Sequence, residues 1–127
     1  MRHRRVVAVV PDLFFAARIT ATAERLGVVL DMPAPAAALE AIRRAPPDLV
    51  ILDLHAPGDP LGLARALRAD PATRAIPLLG FYSHVDRELR EAALGAGLDQ
   101  ALPRSAFTVR LPALLAGEGD AAGSGAC

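Results

Sequence analysis

Apolar residues along this chain follow two alternating patterns. In the first, short runs rich in Val, Leu and Ile stand together, as is typical of strands buried on both faces of a sheet. In the second, apolar residues recur every three or four positions, which is the period of an amphipathic helix. The predicted strands are residues 6–10, 28–30, 49–52, 77–82 and 100–102. The predicted helices are residues 13–26, 36–44, 62–69 and 85–94, followed by a weaker last helix.

Local signals mark the ends of several of these helices. Gly27 follows the first helix in the position where a left-handed glycine commonly ends one. Ser83 stands three residues before Asp86, which predicts a capping box at the start of the fourth helix. Pro112 lacks an amide hydrogen and crowds the preceding turn, so we expect the last helix to be interrupted and to keep about two turns.

The order of these elements is a strand followed by a helix, repeated five times, which predicts an α/β fold. Right-handed crossovers then produce a parallel sheet with helices on both faces. We therefore predict a five-stranded doubly wound parallel sheet, (βα)5, in three αβα layers. Residues 1–116 would form this domain, and residues 117–127, which are small and polar, would form a disordered tail.

Composition narrows the classes of partner. The 127 residues carry zero formal net charge, so neither nucleic acid nor an anionic membrane is an expected partner. No run approaches the roughly 20 apolar residues that span a membrane. The one cysteine, Cys127, cannot form an internal disulfide, and a cytoplasmic location is therefore the expectation.

One acidic residue stands at the end of a predicted buried strand. Asp53 directly follows the aliphatic residues 49–52, and Pro57 and Gly58 turn the chain soon after. A helix cap or a solvated loop acid is the simpler interpretation. The alternative is a reactive carboxylate at the carboxyl edge of a parallel sheet, where open α/β proteins bind their ligands.

Three segments carry a resemblance to a known family. "PDLVILDLHAPG", "AIPLLGFYS" and "ALGAGLDQALPR" occur in this order, at residues 47–58, 75–83 and 93–104. Together they resemble the response-regulator receiver domain, the CheY-like module of bacterial two-component signalling. The resemblance spans about residues 4–116 and implies the flavodoxin-like or CheY-like form of the predicted fold.

The resemblance implies a phosphoacceptor and a metal site. Asp53 matches the family's phosphoacceptor aspartate, and Asp12, Asp53 and the backbone carbonyl of His55 match its Mg²⁺ ligands. The family has a second acid before Asp12, where this chain has Pro11, so Mg²⁺ affinity should be weakened. Asp12 is also a candidate N-cap of the first helix, and it could serve in both ways.

The resemblance also implies residues that contact the phosphoryl group. The family's hydroxyl residue at the end of the fourth strand matches Tyr82 when counted from Pro77, or Ser83 when counted from Asp53. Arg104 matches the family's lysine, keeping the charge in a wider, planar group. Two further positions depart from the family, because Ser105 replaces a proline with a cis bond and Ala101 replaces an aromatic residue. The shortened last helix would also reduce a common dimer and output surface.

Since these departures gather around one pocket, we predict a stand-alone receiver-like signalling module with impaired or absent phosphorylation. It would act through protein contacts, with a histidine kinase or a downstream output protein, and would not be an enzyme beyond self-phosphorylation and its reversal. Whether it forms a homodimer is left open. The alternative is an active receiver, phosphorylated on Asp53 by a histidine kinase with Mg²⁺.

A third hypothesis is a small nucleotide-binding or flavodoxin-like protein. It is disfavoured because no glycine-rich phosphate loop follows the first strand. Asp12, which stands there instead, would repel an anion.

Overall fold

The computed structural model describes residues 3–83 and 86–117, which contain one sheet of five parallel strands. The spatial order of the strands is β2-β1-β3-β4-β5, so the chain changes direction across the sheet after β2. The strands are β1 (Arg5–Val9), β2 (Val29–Asp31), β3 (Leu49–Asp53), β4 (Leu78–Tyr82) and β5 (Gln100–Pro103). The predicted five-stranded doubly wound parallel sheet is confirmed.

Five α-helices connect and follow the strands. They are α1 (Leu13–Leu26), α2 (Ala38–Arg44), α3 (Pro60–Ala69), α4 (Arg87–Gly95) and α5 (Arg104–Ala116). A short 3₁₀ helix, Pro35–Ala37, precedes α2. Gly27 ends α1 with a left-handed φ of 72°, as its position in the sequence predicts. None of the helices in the described ranges is long and apolar enough to cross a membrane.

The hydrophobic core lies in two layers, one on each face of the sheet. Successive strand residues point to opposite faces, so Val7 and Val9 pack with buried residues of α2, α3 and α4. Val6 and Ala8 pack on the other face with buried residues of α1 and α5. Both faces of β3 are therefore covered, and every one of its residues is buried. This explains the continuous aliphatic run before Asp53.

The prediction of a short last helix is wrong. Helix α5 runs for 13 residues and contains Pro112 in its interior. An interior proline costs about 3 kcal/mol, whereas each fully buried large apolar side chain contributes about 1.5 to 3 kcal/mol. Four buried side chains therefore outweigh the proline: Phe107, Leu111, Leu114 and Leu115. The inference that the dimer and output surface is reduced depended on a short helix, so it no longer has a basis.

The predicted capping box at Ser83 is also wrong. The N-cap of α4 is Asp86, whose carboxylate accepts a hydrogen bond from the backbone N–H of Leu89 at 3.0 Å. The hydroxyl of Ser83 instead lies 3.3 Å from Nε2 of His55. A tertiary contact has thus replaced the local one that the sequence favoured.

Several predicted segments lie outside the described residues. These are the first position of the predicted fourth helix, Val85, together with His84 and the tail from residue 118 onward. Gly117, which we expected to begin the tail, forms the left-handed C-cap of α5 with φ 89°.

Candidate functional site

The carboxyl ends of β1, β3, β4 and β5 meet at one edge of the sheet. The register aligns Val9 with Leu52, and Asp53 with Phe81. Because all five strands are parallel, the residues that follow each strand emerge on the same side. This edge, called here the carboxyl edge, therefore carries the loops that contain the candidate site residues.

Asp53 is the last residue of β3 and is only 5 % exposed. Its Oδ1 accepts a hydrogen bond from the backbone N–H of His55 at 2.9 Å. Its Oδ2 has no hydrogen-bond partner within the part of the chain that the structure describes. This second oxygen is not fully buried, so it is accessible to a ligand or to a reaction.

Asp12 caps helix α1, as the simpler interpretation of its position predicts. Its Oδ1 accepts hydrogen bonds from the backbone N–H groups of Phe14 at 2.9 Å and Phe15 at 3.1 Å. Its Oδ2 lies 3.9 Å from Nη2 of Arg104. These two side chains are 38 % and 34 % exposed, so the ion pair is long, partly solvated and weak.

Arg104 is the first residue of α5 and packs between Asp12 and an aromatic ring. The centre of its guanidinium lies 4.3 Å from the centroid of the Phe15 ring, which is a cation–π contact. Its Nε is buried, and no hydrogen-bond partner for it occurs among the described residues. A positive charge with an unused donor therefore lies beside the candidate metal ligand Asp12.

The side chain of His55 links two loops of the carboxyl edge. Its Nε2 accepts a hydrogen bond from the backbone N–H of Ser83 at 3.2 Å, and the Ser83 hydroxyl is 3.3 Å away. The backbone N–H of His55 also donates a hydrogen bond to the carboxylate of Asp53. The sequence predicted a role only for the carbonyl of His55, and no local pattern could have revealed this contact across 28 residues.

Tyr82 lies in the apolar core. It is 4 % exposed and belongs to the layer under α2, α3 and α4, together with Ala101. Phe81, which aligns with Asp53, belongs to the opposite layer and stacks on Phe107 with ring centroids 4.4 Å apart. The structure therefore brings Asp12 and Arg104 together, and Asp53, His55 and Ser83 together, and it assigns the Tyr82 ring to the core.

The donors for a metal ion are few. The described residues contain no group of three or more His, Cys, Asp or Glu side chains placed to hold an ion. Mg²⁺ is commonly bound by one or two carboxylates and several waters, and Asp12 and Asp53 each keep one oxygen that accepts no backbone N–H. One carboxylate with waters meets this minimum, and the nearby Arg104 guanidinium competes for Asp12.

A cavity of about 430 Å³ opens next to Asp53, on the side of α2 and α3. It is lined by Val9, the last residue of β1, and by Leu52, which precedes Asp53 in β3. It is also lined by residues 34–36, at the start of the 3₁₀ helix, by residues 56–59 of the loop between β3 and α3, and by Pro60 and Leu63 of α3. Neither Ser83, after β4, nor Arg104, after β5, is among the described residues that line it.

Solved structures share this fold over most of the chain, although the sequence matches no family model and no curated protein. A response regulator from Hahella chejuensis is 22% identical, with a TM-score of 0.81 over 91% of this chain and 94% of that one. The chemotaxis response regulator CheY4 of Vibrio cholerae is 19% identical, with a TM-score of 0.80 over 91% and 98%.

A third structure is the receiver domain of the sensor histidine kinase PA1611 from Pseudomonas aeruginosa PAO1, which has a magnesium ion coordinated in its active site cleft. It is 21% identical, with a TM-score of 0.77 over 91% of this chain and 99% of that one. The chain thus has the CheY-like fold of response-regulator receiver domains. At these identities the likeness concerns the fold, and activity must be argued from the site.

Proposed function

We propose that this chain is a receiver-like module of two-component signalling that acts through protein contacts, with impaired phosphorylation of Asp53. The observation that carries the proposal is the position of Asp53. It is a buried side chain at the carboxyl end of the central strand of a CheY-like sheet. One carboxylate oxygen accepts a hydrogen bond, and the other has no partner among the described residues. A solvated loop acid would be neither buried nor aligned in this way.

Phosphorylation would use the second oxygen of Asp53. Oδ2 would form a bond to phosphorus while the bond from phosphorus to the donor's leaving group breaks. The N–H of His55 holds the other oxygen and thereby orients the carboxylate. Asp12, Asp53 and the carbonyl of His55 would hold Mg²⁺, which when bound neutralises the oxygens around phosphorus. Ser83 and Arg104 are the candidate contacts for those oxygens.

The surroundings of Asp53 support impairment in three ways. Pro11 removes one of the carboxylates that would attract a cation to this edge. Arg104 lies against Asp12 and the Phe15 ring, so a protein cation already competes for one metal ligand. The Tyr82 ring is buried in the core, so the last residue of β4 offers no small hydroxyl residue beside Asp53. Each change weakens the binding of metal or phosphoryl group without altering the fold.

Signalling by such a module would depend on protein partners. A histidine kinase or a downstream protein would recognise the surface around the carboxyl edge, and the cytoplasm is the compartment expected for such partners. This proposal treats the chain as a binding module and not as an enzyme.

An active receiver is the second candidate, and three observations favour it. Asp53 keeps a carboxylate oxygen that accepts no hydrogen bond from the described residues, and Arg104 supplies a positive charge at the same edge. Ser83 is also at this edge and supplies a hydroxyl.

Treatment with acetyl phosphate, with and without MgCl₂, separates the two candidates. Intact-mass spectrometry measures the addition of one phosphoryl group to the wild-type chain, to Asp53→Asn, and to a double variant, Pro11→Asp with Arg104→Lys. We expect little or no modification of the wild type. We expect the double variant to gain a phosphoryl group when Mg²⁺ is present.

The control is Asp53→Asn introduced into the double variant, which should abolish the mass increase. Modification of the wild type that disappears in Asp53→Asn would instead establish the active receiver. If the double variant folds, as judged by circular dichroism, and still gains nothing, then Pro11 and Arg104 do not cause the impairment and the proposal fails in this form.

A further inference from the structure

The cavity beside Asp53 has the size and lining of a small-molecule site. Its volume of about 430 Å³ lies within the roughly 300 to 1,000 Å³ that is typical of ligand pockets. Aliphatic side chains, alanines and prolines form most of its surface, including Val9, Leu52, Pro57 and Leu63. Such a lining favours a compact apolar body.

The polar groups of the cavity are acidic. Asp53 and Asp59 both line it, and none of the described residues that line it is basic. Asp59 is exposed and uses Oδ1 to cap α3 by accepting from the Gly62 N–H at 2.9 Å. Asp53 is 5 % exposed, and only one of its oxygens has a partner among the described residues. A cation in the cavity would therefore pair with the solvent-accessible oxygen of Asp53 that no described residue engages.

We propose that this cavity binds a small apolar cation, a primary amine with an aliphatic or aromatic body. The apolar part would lie against Val9, Leu52 and Leu63, and the ammonium group would lie beside Asp53. Asp59 at the rim would add to the attraction for positive charge.

The proposed site differs from the phosphoryl site and shares only Asp53 with it. The candidate phosphoryl contacts follow β4 and β5 and lie outside the cavity lining, whereas the cavity is built from the loops before α2 and α3. Amine binding needs neither Mg²⁺ nor a phosphodonor. The two proposals can thus fail independently.

Titration of the full chain with matched probes tests the proposal. Phenethylamine and hexylamine are the cationic probes, 2-phenylethanol is the neutral probe, and phenylacetate is the anionic probe. Amide chemical shifts of the ¹⁵N-labelled protein report the location and the dissociation constant. We expect both amines to shift the signals of Ala36, Gly58 and Leu63, with at least about tenfold weaker binding of the neutral and anionic probes.

Single substitutions then test whether the ammonium group binds to the carboxylate of Asp53. Asp53→Asn preserves the shape of the side chain and should weaken phenethylamine binding at least about fivefold, while leaving 2-phenylethanol unchanged. Ala36→Trp should obstruct the rim and reduce the binding of both. Glu91→Gln, an exposed acid on α4 outside the cavity lining, is the matched control and should change neither.

Three results would overturn the proposal. One is the absence of chemical-shift changes around the cavity when either amine is present at about 10 mM, because the dissociation constant would then lie well above this concentration. Another is equal binding of the neutral or the anionic probe, since charge would then play no part. The third is unchanged amine affinity in Asp53→Asn, with folding of that variant verified by its spectrum.

Discussion

Arginine and aspartate side chains form ion pairs at both ends of the parallel strands, but the number and length of their contacts differ. At the amino edge, where the strands of the sheet begin, the guanidinium of Arg68 donates to three backbone carbonyls, those of Gly97, Arg74 and Ile76, at 2.7 to 2.8 Å. It also pairs with Asp99 at 2.9 Å. At the carboxyl edge, Arg104 makes one ion pair at 3.9 Å.

The acids of the amino edge are equally well bound. Asp99 accepts from the N–H of Leu78 at 2.8 Å in addition to Arg68. Asp70, at the C-terminus of α3, accepts from the N–H of Ala72 and from Arg43, both at 2.9 Å. The N–H of Ala72, and then the Arg43 guanidinium, lower the pKa of Asp70 below its ordinary value of 3.8.

The carboxyl edge leaves polar groups without partners. Nε of Arg104 is buried and unpaired within the described part of the chain, and Asp53 uses one oxygen only. Buried polar groups are normally satisfied, so the unpaired Nε of Arg104 requires an explanation. The comparison indicates that the amino edge is organised for stability, whereas the carboxyl edge keeps unsatisfied groups that a ligand or partner can use.

The largest expected effect is the loss of Arg68. Replacing it with methionine keeps much of the side-chain length but removes the Arg68 donor from three backbone carbonyls and from Asp99, which keeps the N–H of Leu78. We therefore expect the free energy of unfolding to fall by about 2 to 3 kcal/mol. Urea denaturation measures the change. Arg65→Met, at an exposed position on the same helix, is the control and should change stability by less than about 0.5 kcal/mol. Equal effects at the two positions would contradict this account.

Asp12 should matter to stability through its helix cap. Asp12→Ala removes the acceptor of two backbone N–H groups and should cost about 1 kcal/mol in the free energy of unfolding. Asp12→Asn keeps that acceptor and should be nearly neutral. If thermal denaturation shows the same loss for both variants, then the charge of Asp12, and with it the pair to Arg104, matters more than the cap.

Arg104→Met is the direct counterpart of Arg68→Met. Only a long, partly exposed ion pair and one cation–π contact are lost, and a buried unpaired Nε is removed. We therefore expect a change in unfolding free energy of less than about 1 kcal/mol, of either sign. The same urea titration measures it. A loss as large as that of Arg68→Met would show that the two edges do not differ as proposed.

The smallest effect concerns the pH dependence of stability at Asp70. Its lowered pKa means that folding favours the ionised form, so its contribution is present above the ordinary value of 3.8 and is lost as pH falls through the lower folded-state value. Asp70→Asn should therefore be less stable than the wild type at about pH 6, and the difference should shrink towards about pH 2. A difference that stays constant over this range would exclude the ionised carboxylate as its source.

Much of the fold could be predicted because its signals are local. The aliphatic run of β3 and the apolar spacing of α1 each indicate their element without reference to the rest of the chain. The same holds for Gly27, whose left-handed φ follows from its place after a helix. Pro112 shows the limit, since the local signal for a break was real but buried side chains of α5 opposed it.

The candidate site was predictable in part, for a related reason. Asp53 at the end of a doubly buried strand is visible in the sequence, and so is a cap at Asp12. The contact of His55 with Ser83 joins residues 28 positions apart, and no spacing rule predicts it. Tyr82 was a candidate because a count along the chain places it at the end of β4, but a count does not determine where a ring packs.

The sequence alone thus determined the order of strands and helices, the edge at which the loops meet, and the delivery of Asp53 to that edge. Hydrophobic periodicity and chain direction suffice for these features. Only the tertiary structure decided the length of α5, the position of Arg104 over Phe15, the burial of Tyr82 and the cavity beside Asp53. Each of these depends on contacts between residues distant in sequence, whose packing no local pattern encodes.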